Sequence, residues 1–348
     1  MSGVIAVDLN GIIRILVRKG WFSIEEYNNR LKGFDFHSYE AADKPQLVPL
    51  KGKKLPGKAV SLWVHCRNFP LLIKPLVKDE DDDIVSFALL LVDITNRVTA
   101  AEIKTYEIEV LENKIVKYLD DRKTIFDSNP DLLGRPKPKH HYLTHYGQAI
   151  RLFGPPLAYW TARFESKHRV SKNIAESAKN FKNISLTVSV RQQMRMASVY
   201  YTGMFATKDF TVPEKAVTKN ELPQTVSGLW DRVRDFMSND DLLCSEIFVK
   251  QQKYEKGDLV VLEVKEGCEV MEVGLIEVIV VKKNRIFFVM RTYEALKQSL
   301  GYFLTHGLNV DISIQEVHVL ADSKPLIKHG TTVQFQFVLH HHLSDNYK

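Results

Sequence analysis

The spacing of apolar residues changes once along this chain, and the change limits which folds the chain can adopt. From Val4 to Trp21 the apolar residues follow helical spacing. Past about residue 240 the apolar segments become short, β-branched and aromatic, as in DLVVLEV, GLIEVIVV and RIFFVM. The last two segments are separated only by KKN, which is typical of a hairpin turn. We therefore predict an α+β fold in which a mostly α-helical body is followed by an antiparallel sheet.

The details of this pattern predict particular elements. Ser23 followed by Glu26 indicates a capping box at the start of a second helix. Two further helices are predicted within 84–118, and others at 142–153 and 157–196, on either side of Gly154-Pro155-Pro156. The segment VIAVDLN can also be read as a strand that ends in Asp8. TVQFQFVL alternates strictly, and several short strands of this kind predict a small antiparallel β-barrel or half-barrel at the C-terminus.

Four regions follow from these patterns. Residues 1–130 are predicted to be all-α, and 131–205 to form a basic helical segment that begins with a Pro-rich linker. Residues 206–240 are predicted as a linker and a helix, and 241–348 as the barrel domain.

Positive charge is concentrated in one part of the chain. Between Arg135 and Arg195 there are 12 Lys and Arg residues but only two acids, Glu165 and Glu176. Because the whole chain carries a net charge of only +6, the remainder is net acidic. A localised basic segment of this kind predicts a surface that faces a polyanion.

Cysteine usage and hydropathy restrict the compartment. The three cysteines, Cys66, Cys244 and Cys268, have no metal-ligand spacing and cannot all pair, which indicates a reducing compartment. The apolar N-terminal run contains Asp8, Asn10 and Arg14, so it is neither a membrane span nor a signal peptide. We expect a soluble nuclear or cytoplasmic protein with no membrane partner.

The segment Trp160–Lys172, WTARFESKHRVSK, carries most of the functional signal. On a helix, Glu165, Arg169, Lys172, Glu176 and Lys179 form a polar stripe, and the opposite stripe is Val170, Ile174, Ala178 and Phe181. By spacing alone, Glu165 is an ion-pair partner of Arg169 at i, i+4, worth about 0.3–0.5 kcal/mol.

The order of motifs around this helix resembles transposase-like proteins of animal DNA transposons. The matching motifs are Pro138-Lys139-His140-His141, Gly154-Pro155, Trp160, Arg163 to His168, Asn180 to Asn183 and Arg191 to Arg195. Upstream, FSIEEYNNRLKGFDF, DKPQLVP and LWVHCRNFPLLI are similar to the helices of the all-α insertion in that family. The resemblance implies that residues 1–130 correspond to this insertion, that 131–205 end an RNase H-like core, and that a β module closes the chain.

The resemblance also implies a role for Glu165. RNase H-like transposases use three carboxylates to hold two Mg²⁺ ions that activate a nucleophile for attack on a phosphodiester. By position Glu165 matches the last of these acids, and it would be the metal ligand only if partner acids existed. Relatives carry the two earlier acids upstream of the segment that matches GVIAVDL, so we expect both to lie outside this chain. The resemblance implies Mg²⁺ only if catalytic activity remains. If no activity remains, we expect no cofactor.

These considerations lead to three hypotheses about function. The first is a catalytically inactive, transposase-derived protein, with Glu165 as a relic, that binds DNA or RNA electrostatically with little sequence preference. Its candidate contacts are Lys139, Arg163, Lys167, His168, Arg169, Lys172, Lys179, Lys182, Arg191 and Arg195. The second is a protein-interaction scaffold built on the barrel and the helical body. The third is a residual Mg²⁺-dependent nuclease or transposase in which Asp8 and an acid from 79–83 complete the metal site.

Three other clusters could carry chemistry. His140, His141 and His145 suggest a metal cluster, but contacts of helix-start histidines with backbone or phosphate are favoured. His340-His341-His342 are predicted to be exposed. The acidic run Lys78–Asp83 is predicted to be a solvated turn or a helix start.

Overall fold

The computed structural model describes residues 1–179, 182–202, 210–211, 216–218, 228–249, 252–265, 268–306, 311–322, 324–330 and 334–343, except the side chains of 38–39 and 162–167. Over this part the chain is α+β, with helices before residue 202 and mostly antiparallel strands after it, as the change of period predicts. None of the helices in these ranges has the length and apolarity that a membrane span needs.

The first 153 residues form a helical body. Its helices are α1 (Ser2–Arg18), α2 (Ile24–Gly33), α3 (His37–Glu40), α4 (Ala59–Ile73), α5 (Asp83–Val98), α6 (Thr105–Ser128), α7 (Pro138–His141) and α8 (Tyr146–Phe153).

The sequence signals for three of these helices are confirmed. The strand reading of VIAVDLN is wrong, because these residues lie in α1. The capping box of α2 is confirmed: the N–H of Glu26 donates to Ser23 Oγ, and the N–H of Ser23 donates to the Glu26 carboxylate. Residues 79–81 of the acidic run form an exposed turn before α5. Asp82 is half-buried and caps α5, because its side chain accepts the N–H of Ile84.

The apolar core of the helical body extends past residue 130 and into the C-terminal third. Leu133, Leu143 and Ile150 belong to the same cluster as the apolar residues of α1, α4, α5 and α6. Leu300 and Val338 from the C-terminal third also belong to it. The C-terminal third is therefore packed onto the helical body through apolar side chains next to its strands.

Two helices follow the helical body, and a third precedes the main strands. They are α9 (Ala162–Ala178), α10 (Ile184–Tyr201) and α11 (Gly228–Phe236). The helical segment predicted over 157–196 contains two helices, one with Glu165 and one with Arg191 and Arg195. Lys179, whose φ of 48° is left-handed, ends α9. Most of the linker predicted within 206–240 lies outside the described residues, and the helix predicted there is α11.

The strands are β1 (Phe210–Thr211), β2 (Val217–Thr218), β3 (Leu242–Cys244), β4 (Glu246–Val249), β5 (Gln252–Glu255), β6 (Leu259–Lys265), β7 (Val270–Lys282), β8 (Arg285–Lys297), β9 (Phe303–His306), β10 (Ile312–Glu316), β11 (His329–Gly330) and β12 (Phe335–Phe337). The hairpin predicted at KKN is confirmed. Lys282 pairs with Arg285, and the two turn residues Lys283 and Asn284 have positive φ, as a two-residue hairpin turn requires.

The described strands pair antiparallel and do not close into a barrel. The main sheet has the order β11-β12-β9-β8-β7-β3-β2, with β10 on β8 and β6 on β7, and β1-β4-β5 form a separate three-stranded sheet. Among the described strands, the two edge strands β11 and β2 do not pair with each other, so the prediction of a closed barrel is not supported. Alternating residues predict strands, whereas closure depends on strand tilt and register, which alternation does not specify.

Candidate nucleic-acid interface

The basic motif segment folds into a helical hairpin made of α9 and α10, called the basic hairpin below. Asn183 caps the N-terminus of α10, because its side chain accepts the N–H of Leu186 at 3.1 Å. Arg191 Nη1 donates to Ser177 Oγ at 3.3 Å, which ties the middle of α10 to the end of α9. The main contacts of α10 are with α9. This arrangement leaves most of the α10 surface in solvent.

Helix α10 buries none of its side chains and contains no acidic residue. Arg191 and Arg195 lie one turn apart and are exposed. On α9 and in the turn after it, exposed cations accompany the single described acid Glu176: His168, Arg169, Lys172, Lys179 and Lys182. The predicted polar stripe is confirmed for its described members, and Val170, Ile174 and Ala178 of the opposite stripe are half-buried. The hairpin is therefore a positively charged surface.

Large apolar and aromatic side chains are interleaved with these cations. Leu186 and Met194 are exposed, and Tyr200 and Tyr201 at the end of α10 are 70% and 96% exposed. Aromatic rings beside a basic surface are the combination that proteins use to stack bases while cations contact phosphates. Exposed Met and Leu can equally form a protein contact.

Not every predicted contact residue is part of this surface. Lys139 is exposed on α7, and its ammonium lies against Gly3 at the start of α1. The side chains of Arg163, Glu165 and Lys167 lie outside the described residues, as do Asn180 and Phe181. The hairpin thus brings together seven of the predicted contacts: His168, Arg169, Lys172, Lys179, Lys182, Arg191 and Arg195.

Asp8, the candidate substitute for a missing catalytic acid, is buried in an ion-pair network. Arg122 donates to both of its carboxylate oxygens, each at 3.0 Å. The Tyr118 hydroxyl and His140 Nε2 also contact Oδ2. Burial alone would raise the pKa of Asp8, but hydrogen bonds from His140 and Arg122 outweigh it and lower the pKa below its ordinary value. Asp8 is therefore a structural anion whose oxygens already have protein donors.

This network also explains the Pro-Lys-His motif of α7. His140 Nδ1 accepts the N–H of Lys137 at 2.9 Å, so the proton is on Nε2, which donates to Asp8. The backbone contact expected for a helix-start histidine is confirmed for His140. His141 and His145 are exposed, and their Nε2 atoms are 3.3 Å apart. The three histidines therefore do not form one cluster.

The prediction that His340, His341 and His342 are exposed is wrong. His340 and His341 are buried, and His342 is half-buried between Glu107 Oε1 at 2.8 Å and Arg97 Nη1 at 3.3 Å. The main-chain N–H of His342 donates to Asn96 O at 3.1 Å. His342 therefore docks this segment on the helical body, whereas His340 Nε2 contacts Pro325 O in the C-terminal third. The local sequence gives no signal of the contacts with the helical body.

Comparisons of the chain with protein-family models, with curated proteins and with solved structures found no match. Function is therefore inferred from the charge and exposure of the basic hairpin. The most direct chemical consequence of that surface is attraction of a polyanion whose charges repeat at short intervals.

Proposed function

We propose that the chain binds the phosphodiester backbone of nucleic acids through the basic hairpin, with little sequence preference. The observation that carries the proposal is α10: it has no acid, buries no side chain, and exposes Arg191 and Arg195 one turn apart. A helix that contributes so little to the core can present Arg191 and Arg195 to a ligand, at the cost of one exposed hydrogen bond from Arg191 to Ser177.

The energetics of such binding come mainly from counterion release. Each phosphate neutralised by Lys or Arg releases condensed cations, so affinity falls steeply as salt rises. Five phosphate contacts would give a slope of about −4.5 in log K against log salt on double-stranded DNA. Stacking of a base on Tyr200 or Tyr201 would add about 1–3 kcal/mol and favour single strands.

The proposal includes catalytic inactivity and a transposase-like origin. Two Mg²⁺ ions need several carboxylates with open coordination positions. Asp8 is buried against Arg122, and in the acidic run Asp82 contacts Lys19 while Glu80 contacts Ser299. Because these carboxylates already contact protein groups, their contacts support a binding protein over a residual Mg²⁺-dependent nuclease. In this proposal Glu165 is a relic of the family's metal ligands.

Fluorescence anisotropy with labelled 20-nucleotide single-stranded DNA, duplex DNA and RNA tests the proposal. We expect binding whose salt slope becomes shallower in the double variant Arg191→Glu/Arg195→Glu, with affinity at 100 mM salt reduced at least tenfold. The matched control is Lys53→Glu/Lys54→Glu, which changes charge equally in an exposed loop far from α10 in sequence. Equal losses in both variants, or none in either, would contradict a site on the hairpin.

A protein-interaction scaffold remains the second candidate, and the exposed Leu186 and Met194 of α10 favour it. The predicted barrel gives it no support, since the described sheet is open. The replacement Leu186→Ser/Met194→Ser separates the candidates. Nucleic-acid affinity that is unchanged by this variant but lost on charge reversal identifies phosphate as the ligand, whereas the opposite pattern identifies an apolar partner.

A further inference from the structure

Three potential metal ligands meet where the helical body contacts the β region. His37 begins α3, Glu255 ends β5, and Asp258 lies in the turn before β6. Each offers one ligand atom, and these atoms all lie within 4.8 Å of one another. Because His37 is more than 200 residues from the two acids in sequence, only the tertiary fold brings the three together.

Backbone contacts fix the positions of all three residues. His37 has a left-handed φ of 48°, and its N–H donates to Asp35 Oδ1 at 2.7 Å. Asp258 Oδ2 accepts the N–H of Glu255 at 2.8 Å, and the N–H of Asp258 donates to Glu255 O at 3.0 Å. A left-handed conformation is unfavourable for a residue with a Cβ, so the surrounding structure holds His37 in this orientation.

The charges at this position favour a cation. Asp258 is only 5% exposed, and Glu255 lies close enough to repel it when both are ionised. Lys253 Nζ contacts Glu255 at 2.7 Å but is shared with Glu246 at 2.8 Å. A divalent ion among the three ligands would neutralise the carboxylates of Glu255 and Asp258. Lys253 would then keep its ion pair with Glu246 alone.

We propose that His37, Glu255 and Asp258 form a Zn²⁺ site. An imidazole nitrogen with two carboxylate oxygens suits Zn²⁺, whereas Ca²⁺ and Mg²⁺ prefer oxygen ligands alone. Three protein ligands leave a fourth position for water or an outside ligand. The ion would join α3 to the β5–β6 turn and so stabilise the contact between the helical body and the sheet. This site is independent of nucleic-acid binding by the hairpin.

Isothermal titration of metal-stripped, tag-free full-length protein with ZnCl₂ tests the site. The background carries His141→Ala/His145→Ala, because that exposed pair has its Nε2 atoms 3.3 Å apart and can itself chelate zinc. We expect one Zn²⁺ per chain, with at least tenfold weaker binding after His37→Ala, Glu255→Gln or Asp258→Asn. His318→Ala is the matched control, since His318 is an exposed histidine paired with Glu316, and it should leave affinity unchanged.

A second readout keeps the test decisive if a variant folds poorly. Thermal melting with and without Zn²⁺ should show a zinc-dependent rise in Tm for the background protein and none for His37→Ala. Glu255→Gln preserves side-chain shape and should melt like the background protein when metal is absent. Unchanged zinc affinity in both His37→Ala and Glu255→Gln, or equally tight binding of Mg²⁺, would overturn the proposal.

Discussion

Helices α1 and α10 have nearly the same length, 17 and 18 residues, but they relate to the rest of the protein in opposite ways. α1 buries 12 of its residues, and α10 buries none. α1 even buries a charge, Asp8, whereas α10 leaves two arginines and two tyrosines in solvent. The contrast shows that polar residues mark different roles depending on burial: Asp8 specifies how helices pack, and Arg191 and Arg195 offer a surface for a ligand.

Replacing Asp8 tests the buried side of this comparison and should have the largest effect. Asp8→Asn leaves the Arg122 guanidinium buried without its counterion, so we expect a loss of about 3–5 kcal/mol in the free energy of unfolding. Urea denaturation measures it. The double variant Asp8→Asn/Arg122→Met removes the unpaired charge and should recover part of the loss. A loss below about 1 kcal/mol in the single variant would contradict a structural role for the pair.

Packing around α1 should also be intolerant of added volume. In Gly11→Ala the new Cβ would lie 2.7 Å from Leu133 Cδ1 and 3.3 Å from the main-chain oxygen of Leu132. Because backbone cannot move aside as easily as a side chain, we expect a loss of about 1–3 kcal/mol. Gly33→Ala, at the end of α2 with nothing within 4 Å of the new Cβ, is the matched control and should be neutral or slightly stabilising. Equal effects at the two glycines would refute tight packing at Gly11.

These contrasts show which features were predictable from sequence. The helical spacing of α1, the capping box of α2 and the KKN hairpin depend on neighbours within a few residues, and all three predictions are confirmed. Asp8 was predicted on either a helix or a strand, but its pairing with Arg122, 114 residues away, has no local signal. The same reason accounts for the burial of His340 and His341 and for the meeting of His37 with Asp258. Local patterns predict elements, whereas long-range pairs depend on packing.

The candidate interface was predictable in a different way. The concentration of cations between Arg135 and Arg195 is a property of composition, so the sequence alone predicts a basic surface. What it does not predict is that α9 ends at Lys179 and that α10 folds back on it, which places Arg191 beside Ser177. It also does not predict that α10 buries no side chain, because that depends on what the rest of the fold leaves uncovered.

Buried and exposed histidines should differ in their effect on the pH dependence of stability. His65 in α4 is fully buried, which lowers its pKa to about 4, and its Nε2 is hydrogen-bonded to the Tyr27 hydroxyl at 2.8 Å. A folded-state pKa below the unfolded value of about 6.5 gives stability that is present above pH 6.5 and lost as pH falls toward 4. Burial also lowers the pKa of His340, which adds to the same loss.

The expected slope is up to about 1.4 kcal/mol per pH unit for each such histidine between pH 6.5 and 4. Urea denaturation at several pH values measures it. His65→Gln keeps a hydrogen-bonding group beside Tyr27 but does not titrate, so the slope should become shallower. The control is His168→Gln on α9, which removes an exposed histidine instead of a buried one. If the two replacements alter the slope equally, burial of His65 is not its cause.

The exposed side of the comparison predicts the smallest effect on stability. Arg191→Glu/Arg195→Glu removes no buried contact, although it breaks the hydrogen bond from Arg191 to Ser177. An exposed hydrogen bond contributes little, so the free energy of unfolding should change by no more than about 0.5 kcal/mol. Because the same variant is expected to lose at least tenfold in nucleic-acid affinity, urea denaturation and anisotropy on one preparation separate folding from binding. If the variant instead unfolds as readily as Asp8→Asn, α10 belongs to the core, and its arginines are structural like Arg122.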